Sequence, residues 1–106
     1  MTLASRFSFL LLLLILVSCH SPVVGKAGST PPSHQLWNEL LKAHVKPNGL
    51  VDYKGFIREK PKLESYLKLL SENAPDRSKW SKNEQLAYWI NVYNAYTVKL
   101  IIDFYP

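Results

Sequence analysis

The stretch "LAYWINVYNAYTVKLI", Leu86–Ile101, decides how this chain folds. Just ahead of it, "SKNE" (Ser81 to Glu84) has the form of a capping box. In such a box the serine hydroxyl accepts from the backbone N–H of the glutamate, and the glutamate side chain reaches back. A long helix is therefore expected over 81–104. On a wheel of about 100° per residue, Leu86, Trp89, Ile90, Tyr93, Thr97, Leu100, Ile101 and Phe104 make the expected core face. Ala87, Asn91, Asn94 and Val98 form a second stripe beside it. Tyr88, Val92, Ala95, Lys99 and Asp103 fall on the remaining arc with Glu84 and Gln85. From Gln85 to Val98 no residue is charged. A helix this apolar around its circumference is normally central and covered on several sides. Its two asparagines, its capping box and Lys99 argue against a membrane span.

Asn91 and Asn94 raise a question of their own. An unpaired buried amide costs about 1–3 kcal/mol, so both need partners. The expected arrangement is a clamp on a crossing backbone, with small neighbours letting that backbone come close. The alternative is that both line a pocket and orient a ligand or a catalytic partner.

Working outward, "SHQLWNELLKAHV" reads as the first helix, with Ser33 as its N-cap and Leu36, Trp37, Leu40, Leu41 and His44 on one face. Pro47-Asn48-Gly49 is a turn signal, because proline presets φ while Asn and Gly tolerate positive φ. Leu50-Val51 is expected to form a very short strand, and Asp52 to cap a helical turn over Tyr53 to Ile57. "KPKLESYLKLLSEN" is the next helix, with Pro61 in its first turn and a stripe of Leu63, Tyr66, Leu67 and Leu70. The fold class expected is mainly α in this part of the chain, three helices with a short turn or strand, forming the first part of a larger α/β or α+β domain. Two short helices supply little to cover the long one, so residues 33–106 are expected to be an incomplete domain or to need a partner.

The N-terminus carries an address. Arg6 precedes an unbroken apolar run, Phe9 to Val17, too short for a comfortable span and without a stop-transfer flank. Residues 1–18 read as a secretory signal peptide. Leu16-Val17-Ser18-Cys19 resembles the lipobox of bacterial lipoprotein signals. That resemblance implies cleavage before Cys19 and lipidation of its sulfur, and several acyl chains together anchor a protein stably. Cys19 is the chain's single cysteine, so an internal disulfide is excluded. Residues 19–32, rich in Pro, Gly and Ser, read as a flexible tether. The expected location is the cell envelope, as a membrane-anchored lipoprotein, the alternative being a secreted or periplasmic soluble protein.

Removing residues 1–18 leaves 88 residues, room for one small domain. Without Arg6, 12 Lys and Arg face 8 acids, a net charge of +4. The cations are scattered among acids and form no long run, so no nucleic-acid partner is expected. The expected partner is the membrane, reached through the N-terminal lipid, with any protein or envelope partner left open. No metal is expected, because no His, Cys and Asp stand at ligand spacing, and no cofactor motif is present.

The order of motifs resembles the start of the DUF547 domain. They are Trp37, Leu40 and Leu41; Gly49, Val51, Asp52 and Tyr53; and Glu84, Gln85, Ala87, Trp89, Ile90, Asn91, Tyr93, Asn94 and Ala95. The resemblance runs from about Leu36 to Pro106 and implies a domain whose further His- and Cys-bearing signature lies beyond this segment. It implies no established activity. A likeness to papain-like or transglutaminase-like folds is fold-level analogy only. Two functions follow as expectations. One is a lipid-anchored binding or structural module. The other is part of an envelope hydrolase or transferase with catalytic residues beyond Pro106, in which Asp52, Asn91 and Asn94 orient groups rather than attack.

Overall fold

The computed structural model describes residues 29–106, so the expected signal peptide, Cys19 and most of the expected tether lie outside the described residues. Among the described residues four helices follow one another: α1 Gln35–His44, α2 Tyr53–Arg58, α3 Lys60–Glu72 and α4 Lys82–Asp103. The described residues contain no β-sheet, and a single antiparallel bridge joins Val45 to Val51. The mainly helical class expected from the periodicity is therefore what forms. No helix among the described residues is long and apolar enough to cross a membrane.

Local chemistry accounts for most boundaries. The turn after α1 closes through Gly49 N–H donating to Lys46 O at 2.9 Å, with Gly49 at φ 84°. The Asn48 side chain accepts from Leu50 N–H at 3.1 Å, which stabilises the same bend. The expected short strand at Leu50-Val51 reduces to the one bridge. Asp52 caps α2 by accepting from Gly55 N–H at 3.0 Å. At α4 the capping box forms in both directions: Ser81 Oγ accepts from Glu84 N–H and Glu84 Oε1 accepts from Ser81 N–H, each at 3.1 Å. The first helix starts one residue later than expected. Its N-cap is His34, and Ser33 accepts from Gln35 N–H at 3.2 Å without capping the helix.

α3 and α2 lie between α1 and α4 and pack against both. The core draws Trp37 and Leu40 from α1, Phe56 from α2, and Leu63, Tyr66, Leu67 and Leu70 from α3. Both expected stripes, on α1 and α3, are thus the buried ones. Trp37 stacks on Tyr66 with ring centroids 5.9 Å apart. Trp80 meets Tyr88 edge to face at 5.6 Å. The segment ahead of α1 also belongs to this body. Pro32 is buried, Trp80 Nε1–H donates to Ser29 O at 2.8 Å, and the Ser29 hydroxyl donates to Ala74 O.

α4 overturns the expected core face. Tyr88, Ala95 and Ile102 are its buried residues, whereas Leu86, Trp89, Ile90, Tyr93, Leu100 and Phe104 are exposed. The remaining arc, through Tyr88, Val92 and Ala95, faces the core instead. Shape and hydrogen bonding decide this. Ala95 is small and fully buried, which lets α4 approach its neighbours closely. The Tyr88 hydroxyl finds an acceptor in Leu70 O at 2.7 Å, giving a buried phenol the partner it needs.

Candidate functional site

α1 and α4 are held apart by the elements between them, and the gap is an open cavity of about 320 Å³. Trp37 and Phe56, both buried, line it together with Leu41, Val45, Val51 and Tyr53. α4 contributes Asn91, Asn94, Thr97, Val98 and Ile101. The lining is an apolar slot with two amides and one hydroxyl on the α4 side. Small-molecule sites have this character, mostly apolar with a few placed polar groups, in cavities of about 300–1,000 Å³.

Asn91 and Asn94 therefore come together on one cavity. Among the described residues neither clamps a crossing backbone, which corrects that expectation. Asn91 is half-buried, and its side chain lies near enough to the Tyr66 phenol to act on it. Burial pushes the Tyr66 phenol up to about 12, and the Asn91 contact opposes this by stabilising the oxygen, as a donated amide N–H does. The Tyr66 hydroxyl is also 2.7 Å from Nδ1 of His34. Burial lowers the His34 pKa and so favours the neutral imidazole, which in its Nε2–H tautomer accepts a hydrogen bond from the phenol O–H at Nδ1. A polar line thus runs from Asn91 on α4 through Tyr66 on α3 to His34 at the start of α1. Asn94, exposed on the cavity rim, keeps its amide available to a bound group. The Thr97 hydroxyl donates back to Tyr93 O at 2.6 Å.

Asp52 does not line the cavity. Its Oδ1 serves the α2 cap, while Oδ2 is 3.9 Å from Nδ1 of buried His44 and 3.5 Å from Nη2 of Arg58. His44 Nε2 hydrogen-bonds Glu59 Oε2. The cluster ties the end of α1 to both ends of α2, which is a structural task. Among the described residues no group of three His, Cys, Asp or Glu is placed to hold a metal ion.

Sequence reasoning passed over Tyr66 and His34 as site residues. Tyr66 was one apolar-stripe position among four, and His34 stood beside the tether. The available signal was the phenol itself, since a buried tyrosine hydroxyl requires a partner.

No curated protein and no solved structure matches this chain. A family model does match, over residues 77–105, and its description is "Protein of unknown function, DUF547". Those residues hold the α4 capping box, the aromatic run and both cavity asparagines, so the similarity to DUF547 rests on the long helix of this chain and the turn leading into it.

Proposed function

We propose that this chain is an exported, lipid-anchored binding module that takes a small, mainly apolar ligand into the cavity between α1 and α4. One observation carries the reading: an open apolar slot of about 320 Å³ with the amides of Asn91 and Asn94 on one wall. A side chain that serves packing alone would not place an exposed amide on a cavity rim beside Val98 and Ile101. The ligand has an apolar body that rests on Trp37 and Phe56 and a hydrogen-bonding group that meets Asn94. The signal-like residues 1–18 and the Leu16–Cys19 motif support placement at the cell envelope.

Titration with N-phenyl-1-naphthylamine, a neutral apolar probe with one N–H, tests the cavity. Saturable fluorescence enhancement is expected, abolished by Val98→Trp, which fills the slot. Asn94→Ala should weaken it about tenfold, the worth of one hydrogen bond. Tyr93→Glu, outside the cavity, should leave it intact. Enhancement that persists in Val98→Trp overturns the proposal.

A further inference from the structure

His34, Tyr66 and Asn91 come from three elements and converge on one phenol. Tyr66 is fully buried, and its hydroxyl is 2.7 Å from Nδ1 of His34. Asn91 acts on the same phenol and also lines the cavity. His34 is half-buried and stands apart from the cavity lining. The phenol therefore links an ionisable group to one wall of the cavity.

A hydroxyl has one proton to give. With the imidazole neutral, that proton goes to Nδ1, and the phenol oxygen is left to accept from the Asn91 amide. Asn91 then turns its NH2 end toward Tyr66 and its carbonyl end toward the cavity. In the imidazolium both ring nitrogens donate. Nδ1–H then gives to the phenol oxygen, and the phenol proton needs a new acceptor. A buried hydroxyl left without one is costly. Asn91 supplies the acceptor by rotating its amide half a turn about its last side-chain bond. The two ends of an amide are nearly the same shape, so the exchange needs no repacking.

We propose that the protonation state of His34 selects which end of the Asn91 amide the cavity presents, the carbonyl when the imidazole is neutral and the NH2 when it is charged. The inference rests on the cavity reading above and names the regulation of that site. Burial lowers the proton affinity of His34, so the exchange falls on the acid side of pH 6.5. The titratable groups on the surrounding elements stay fixed there. Glu39 of α1 is paired with Lys62 of α3 at 2.6 Å, which holds its carboxyl below the usual range. Tyr66 itself, pushed up to about 12, keeps its proton, and Tyr88 of α4 gives its own to Leu70 O. With His34 neutral the cavity favours a ligand that donates a hydrogen bond at Asn91. With His34 charged it favours one that accepts.

Two probes of similar shape test this in the full chain held in nanodiscs. 1-Naphthol donates a hydrogen bond, whereas 1-methoxynaphthalene only accepts. Binding is counted as the part lost in Val98→Trp, which removes partition into lipid. From pH 7.5 down through the titration of the His34 ring, followed by NMR, the preference for the naphthol should fall about tenfold, the worth of one hydrogen bond. In Tyr66→Phe, which cuts the link, and in His34→Gln, which removes the proton, the preference should not change with pH. A constant preference in the wild type, with both probes bound, overturns the proposal and leaves the cavity reading standing. So does an equal fall in folded Tyr66→Phe. If neither probe binds, the cavity reading fails, and the Asn91 side-chain amide resonances decide the switch by themselves. They should shift with His34 protonation in the wild type and not in Tyr66→Phe, and resonances that ignore His34 overturn the proposal.

Discussion

A Cβ on Gly55 would overlap Nδ1 of His44 and stand 2.6 Å from Oδ2 of Asp52. Glycine here is a matter of space, since His44 packs its ring over the α2 backbone and has no route of retreat between Phe56 and Glu59. Gly55→Ala should destabilise the fold by about 1–3 kcal/mol, the usual range for overpacking. Urea denaturation checks it. The paired variant His44→Ala/Gly55→Ala should lose less than the two single variants added together, because both act on one space.

The same measurement separates the two asparagines. Asn91→Ala removes the amide that meets Tyr66 and should cost about 1 kcal/mol. Asn94→Ala alters an exposed rim and should stay within about 0.5 kcal/mol. The helical wheel alone ranks these the other way, because it sets Asn94 nearer the supposed core face.

Burial depresses the His34 pKa below 6.5 in the folded state. Below pH 6.5 the unfolded chain therefore binds more protons than the folded one, and stability falls as pH drops from there through the folded pKa. Protonation also ends the acceptance of the Tyr66 hydroxyl at Nδ1. Thermal melts at pH 7.5 and 5 should show a lower melting temperature in acid, and His34→Gln should flatten that dependence. Equal dependence in both proteins would show that other groups set it.

The buried face of α4 can be checked directly. Ala95→Leu should cost about 1–3 kcal/mol by overpacking, since leucine is nearly as good a helix former as alanine and propensity accounts for little of the loss. Leu86→Ala should change the stability of the single domain little, because Leu86 is exposed. A reversal of these effects would place the core on the outward arc.

Cys19→Ala tests the lipid anchor. Labelled palmitate should enter the wild-type product and fail to enter the variant, which should accumulate unprocessed. Normal processing and release of the variant would refute lipidation.

Legibility differed between helices for a physical reason. α1 and α3 set their apolar residues opposite polar ones, so a wheel could name Trp37, Leu40, Leu63, Tyr66 and Leu70 as core. The capping box at Ser81 and the cap at Asp52 were readable because each closes within three residues. α4 presents apolar residues on nearly every side. Periodicity counts them but does not say which side the neighbours occupy, and the decisive facts were a methyl group at Ala95 and one acceptor at Leu70. The cavity was half visible in the asparagine pair. Its other half comes from Trp37, Val51 and Phe56, brought there by tertiary contacts that no local pattern announces.

The hydrogen bond from Trp80 to Ser29 fastens the first described residue to the domain. If Cys19 carries the proposed lipid, at most roughly 35 Å of chain separates that lipid from the fastening point. A domain so held would sweep a shallow shell above the bilayer instead of a volume of fluid. Molecules on neighbouring anchors would then meet at the high effective concentrations of tethered partners. Weak contacts between such domains acquire consequences on a membrane that the same contacts would not have in dilute solution.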